Sequence, residues 1–125
     1  MRAYILVVER DLLLRETIID LLDALGHHAL GSPSPIRGLK LLEMMGFDVM
    51  IISPGAMLLA EPSYAQDAKK LQPHLKVIMA APMEFPEFSE MPIDAFIRKP
   101  FSLLSLAQTL RKISIPSDLS DDRLP

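Results

Sequence analysis

The feature that most constrains this chain is a set of short apolar runs that are continuous where a half-buried strand would alternate. Ala3-Tyr4-Ile5-Leu6-Val7-Val8 is the first. Phe47-Asp48-Val49-Met50-Ile51-Ile52, Val77-Ile78-Met79-Ala80-Ala81 and Ala95-Phe96-Ile97 follow it. Such runs suit strands covered on both faces, as in a parallel sheet with helices on each side.

The stretches between these runs have helical spacing. Leu14, Ile18, Leu21, Leu22 and Leu25 give one apolar face to a helix that Asp11 can cap and Gly26 can stop. Ser34-Pro35 opens a second helix, which runs through Leu39, Leu41, Leu42 and Met45 to Gly46 and is weakened by Gly38. A third is predicted between about Ser63 and Leu71, closed by Pro73, and a last from a Ser102 cap to roughly Ile113. His28 to Leu30 reads as a short, weak strand, and Ser53-Pro54-Gly55 as a turn. Pro82, Pro86 and Pro92 interrupt the stretch where a further helix belongs. Strands alternating with helices imply βαβ units and a mainly parallel sheet.

At 125 residues, half of them apolar, the chain suffices for one domain and one packed core. Its net charge of −3, with both signs interspersed, lacks the basic footprint of a nucleic-acid binder. Without cysteine there are no disulfides and no thiolate chemistry. His27, His28 and His74 have no metal-ligand spacing, and His27-His28 falls at a helix-to-strand corner expected at the surface. No apolar run is long enough for a bilayer, and Met1-Arg2 leads straight into the first strand, so a cytoplasmic protein is expected.

In parallel sheets of this kind, ligands and chemistry gather at the carboxyl ends of the strands. Here those ends are Glu9-Arg10-Asp11, Ser53-Pro54-Gly55, Ala81-Pro82 and Lys99-Pro100-Phe101. A dinucleotide fold needs a glycine-rich turn after the first strand, but no glycine precedes Gly26. A phosphate-cradling Gly-Lys-Ser/Thr loop is absent as well.

From about Ala3 to Ile113 the chain resembles the receiver domains of two-component response regulators. The resemblance is carried by Ile5-Leu6-Val7-Val8-Glu9-Arg10-Asp11, Leu21-Leu22-Asp23-Ala24-Leu25-Gly26, Phe47 to Ile52, Val77-Ile78-Met79 and Lys99-Pro100-Phe101-Ser102. It implies a flavodoxin-like, doubly wound (βα)5 sandwich with a five-stranded parallel sheet in the order 2-1-3-4-5. Residues 1–113 would form this domain and 114–125 a flexible acidic tail.

The resemblance also implies a site. Receivers bind Mg2+ with an acid pair after the first strand and an aspartate after the third, and that aspartate accepts a phosphoryl group. A Ser/Thr after the fourth strand and a lysine after the fifth hold the phosphoryl oxygens. Here the corresponding positions are Glu9 and Arg10, Ser53, Ala81 and Lys99. Ser53 is a neutral alcohol, Arg10 puts a fixed cation where a metal ligand belongs, and Ala81 has no hydroxyl. The expectation is a degenerate receiver with no catalytic residue, weak or absent Mg2+ binding and no other cofactor. Glu9 and Lys99, with Arg10 joining, are expected to form an ion pair in place of the metal, with Ser53 within reach of Lys99. Asp11 reads as a helix cap, and Asp48 as a solvated residue at the start of its strand.

Function would then rest on protein contacts within a bacterial signalling pathway. The fourth helix is expected to be shortened or irregular, because Ala81 and Lys99 are closer than in receivers by about one helical turn. In that stretch Phe85, Phe88 and Met91 interleave with acids, either covering the sheet or forming a docking surface. Phe96 matches an aromatic position that moves in receivers, and Leu104 stands where they more often carry a charge. An apolar arc there would suit a homodimer through the fifth-helix face. Two other readings remain. One is a phosphorylatable receiver with a rearranged Mg2+ site using Glu9, Asp11 or Ser53. The other is a small-molecule sensor using the vacated strand-end pocket.

Overall fold

A computed structural model describes residues 2–53, 63–83 and 91–117. In chain order the elements are β1 (Tyr4–Val8), α1 (Leu12–Ala24), β2 (His28–Ser32), α2 (Pro35–Met44), β3 (Val49–Ile52), α3 (Tyr64–Leu71), β4 (Lys76–Ala81), β5 (Ala95–Arg98) and α4 (Leu103–Lys112). The five strands form one sheet in the order β2-β1-β3-β4-β5, and every pairing is parallel. The five-stranded parallel sheet expected from the sequence, in the order 2-1-3-4-5, is thus observed, with four helices among the described residues. The expected fourth helix falls on 84–90, outside the described residues.

Because side chains alternate across a pleated strand, each continuous apolar run feeds two cores at once. Ile5, Val7, Val49, Ile51, Ile78 and Ile97 pack on one face against Ile18, Leu22, Leu106 and Leu110 of α1 and α4. Leu6, Val8, Met50, Ile52, Val77 and Met79 pack on the other face with Leu42 of α2 and Tyr64 and Ala68 of α3.

Caps fix where the helices begin. Asp11 accepts from the Leu14 N–H at 2.8 Å, Ser34 from Arg37 at 3.2 Å, and Ser102 from Ser105 at 3.1 Å with a reciprocal capping box. Gly26, at φ 88°, closes α1 in the left-handed conformation that glycine adopts without strain.

The structure corrects several expectations. His27 is buried, its Nδ1 accepting from the Ala3 N–H at 3.0 Å, while His28 is the exposed member and stacks on Tyr4. Asp48 is tied down, since its carboxylate accepts from the Tyr4 N–H at 2.8 Å and so links β3 to β1. β2 extends to Ser32, and β3 starts two residues after Phe47. Beyond α4 the chain stays packed as far as Ile115, which is buried in the core; residues 118–125 lie outside the described residues.

Candidate functional site

Parallel order brings the carboxyl ends of β1, β3, β4 and β5 to one edge of the sheet, where β1 is flanked by β2 and β3 at the topological switch point. Glu9 follows β1, Ser53 follows β3, Ala81 ends β4 and Lys99 follows β5. Lys99 reaches past the end of β4 toward β3 and β1, a span of at least two strand spacings, about 10 Å. Its Nζ donates to Glu9 Oε1 at 2.9 Å and to Ser53 Oγ at 3.0 Å. Ser53 Oγ in turn donates to the same Glu9 Oε1 at 2.6 Å. The three side chains close a triangle.

Glu9 is gripped from its other side too. Oε2 accepts from the Asp11 N–H at 3.0 Å, and the Glu9 carbonyl accepts from Arg15 Nη1 at 2.8 Å. Burial alone would raise the Glu9 carboxyl. The hydrogen bonds from Ser53 and Asp11, together with the Lys99 ammonium, outweigh burial and hold it below the usual range. Its side chain is 6% exposed and that of Lys99 17%, so the pair is screened from water, with the lysine as the more accessible member.

Arg15 is a participant that strand-end reasoning alone did not find. Its stem lies on β2, where a Cβ on Gly31 would stand 2.9 Å from Arg15 Cδ and 3.0 Å from Cγ. A glycine at the fourth position of β2, sixteen residues after Arg15, was the available signal. Arg10, expected to join the ion pair, is instead exposed, and the arginine holding the loop after β1 is Arg15.

Ala81 is fully buried, and its carbonyl accepts from the Lys99 N–H at 2.8 Å, fixing the start of the loop that carries the lysine. Met91 and Phe96, proposed as part of a docking surface, are half-buried and pack against the core face that contains Met79 and Ala81. Leu104 is half-buried, so no broad exposed apolar arc on α4 includes it. Phe85 and Phe88 lie outside the described residues. Among the described residues, Leu12 and Leu13, in the first turn of α1, and Met83, beyond β4, are exposed apolar side chains. Between α1 and the loop after β5 runs a groove of about 440 Å3, bounded by Leu14, Ile18 and Leu21 on one side and by Pro82, Lys99 and Phe101 on the other.

No family model and no curated protein matches the chain. Solved structures do. The chemotaxis protein CheY4 of Vibrio cholerae superposes with a TM-score of 0.81 at 17% identity, covering 90% of this chain and 99% of that one. A CheY-like response regulator receiver domain protein of Methanospirillum hungatei gives 0.81 at 21% identity, covering 90% and 94%. The receiver domain of a sensor histidine kinase from Pseudomonas aeruginosa, which coordinates a magnesium ion in its active-site cleft, gives 0.79 at 16% identity, covering 91% and 99%. The fold is therefore that of the CheY-like receiver domains.

Proposed function

We propose that this chain is a phosphorylation-independent, receiver-like regulatory domain that acts through contacts with protein partners. The observation that carries this reading is the closed Glu9–Ser53–Lys99 triangle at the strand ends.

A hard divalent cation needs several oxygen ligands with lone pairs to give. Here one Glu9 oxygen already accepts from Ser53 and Lys99, and the other accepts from a backbone N–H. Ser53 contributes a neutral oxygen already engaged by Lys99, and Arg10 adds a permanent cation beside Glu9 in the chain. These residues do not fit a magnesium ion. Lys99 supplies the cation that faces Glu9, tethered to the fold.

Removal of the acceptor carboxylate also weakens the chemistry. An alcohol that is 2% exposed and donates to a carboxylate is poorly placed for in-line attack on a phosphoryl donor. The buried Ala81 methyl offers no hydroxyl to a phosphoryl oxygen. What remains is a stable scaffold whose output is its surface.

One observation favours a second reading, a phosphorylatable receiver with a rearranged Mg2+ site. Ser53 Oγ lies 2.6 Å from Glu9 Oε1, within the range for proton transfer to a general base. Titration with Mg2+ followed by amide NMR separates the two readings. The favoured one expects no saturable shifts at Glu9, Asp11 or Ser53 up to ~20 mM Mg2+, well above the working range of a functional site. Saturation at low millimolar Mg2+, with shifts centred on these residues, would overturn it.

A further inference from the structure

We propose that the groove between α1 and the loop after β5 is a binding site for a small carboxylate with an apolar body. This goes beyond the function argued above and needs only the Glu9–Lys99 pair that the structure contains.

Four observations lead there. The groove's volume of about 440 Å3 lies in the range typical of ligand sites, which are mostly apolar with a few placed polar groups. Leu14, Leu21, Pro100 and Phe101 supply the apolar walls, and Lys99 is the one charged residue in the lining. An ammonium has three N–H donors; among the described residues, that of Lys99 gives two, to Glu9 and Ser53. The third can take an oxygen of an incoming anion without breaking the triangle. The Lys99 side chain is also more exposed than that of Glu9.

The class of ligand follows from that chemistry. A polyanion such as a nucleotide finds a single cation, already paired with Glu9, and greasy walls, a poor match. A neutral hydrocarbon fills the walls but leaves the third donor unused. An aliphatic or aromatic monocarboxylate satisfies both, and its carboxylate makes the stronger, charge-assisted hydrogen bond. Thr17, exposed on α1 and lining the groove, stands where ligand length would be read.

The test uses hexanoate and its amide, hexanamide, titrated into the intact labelled protein and followed by amide NMR. Hexanoate should produce saturable shifts at Leu14, Thr17 and Phe101 with half-saturation in the millimolar range, and hexanamide should bind at least ~10-fold more weakly. Thr17→Trp, which fills the groove from its solvent side, should abolish the shifts. Because Lys99→Met alone strands Glu9, the charge is tested in the Glu9→Gln/Lys99→Met double variant, where hexanoate should lose its advantage over the amide. The proposal fails if hexanoate gives no saturable shift, if its shifts lie outside the groove, or if acid and amide bind alike to the unaltered protein.

Discussion

Lys99 Nζ lies 2.9 Å from Glu9 Oε1 although the two residues are 90 positions apart and follow strands separated by two others. Ser53 sits between them, accepting from one and donating to the other, so the ends of β1, β3 and β5 are joined by a single polar knot. A knot of this kind does for the sheet edge what a bound metal and its ligands would do elsewhere. It pairs a buried acid with a cation and joins the ends of three strands.

The knot predicts strong energetic coupling. Lys99→Met leaves the Glu9 carboxylate buried and uncompensated, at a cost of about 3 kcal/mol. Glu9→Gln keeps a hydrogen-bonding side chain and should cost less, about 1–2 kcal/mol. The double variant should be less destabilised than the sum of the two, with a coupling energy above ~1 kcal/mol in urea denaturation. Additive losses would mean that the pair contributes no interaction of its own.

Acid stability should depend on the same group. The Glu9 carboxyl lies below its ordinary value of 4.5 in the folded protein, and Asp94, held by Lys69 at 2.6 Å and by the Val77 N–H at 2.8 Å, lies below 3.8. For both, the unfolded chain binds protons first as the pH drops. Their stabilisation is therefore complete above those ordinary values and is lost as the pH falls through the lower folded ones. Denaturation midpoints measured from pH 6 downward should fall steeply in that acid range, less steeply in Glu9→Gln. Tyr64 behaves oppositely: burial raises its hydroxyl above 10.0, so its contribution persists at neutral pH and is lost as the pH rises past that value.

Much of this arrangement is legible in the sequence, for a definite reason. Continuous apolar runs separated by capped amphipathic helices admit few arrangements other than a covered parallel sheet, and such a sheet dictates that Glu9, Ser53, Ala81 and Lys99 share one edge. What stayed hidden depends on packing between distant segments. Gln72 looks like an ordinary helix-end residue, yet its side chain binds the Leu42 and Met45 carbonyls and the Phe47 N–H, filling the gap where α2 ends. Arg15 sits on α1 like any helical arginine until β2 supplies Gly31 beneath it. Met91 and Phe96 carry no sign in their spelling of whether they face solvent or the sheet, and the structure turns both inward.

Gly38 offers a test of packing against propensity. Alanine inside α2 would ordinarily gain about 1 kcal/mol over glycine. Here a Cβ would stand 2.7 Å from Tyr64 Oη, which donates to the Pro35 carbonyl at 2.8 Å, and 3.1 Å from Val8 Cγ2. Gly38→Ala should therefore lose about 1–2 kcal/mol, as overpacked core sites do. In a Tyr64→Phe background the loss should shrink, because the clashing oxygen is gone. A thermal melt of the four proteins decides it, and stabilisation by Gly38→Ala alone would show that α2 can shift.

The central claim is that the strand-end site no longer accepts a phosphoryl group, and intact-protein mass after incubation with Mg2+ and acetyl phosphate tests it most directly. Beside an active receiver as control, this protein is expected to keep its mass while the control gains one phosphoryl group. A phosphoryl adduct on this chain, mapping to the neighbourhood of Glu9 or Ser53, would contradict the account.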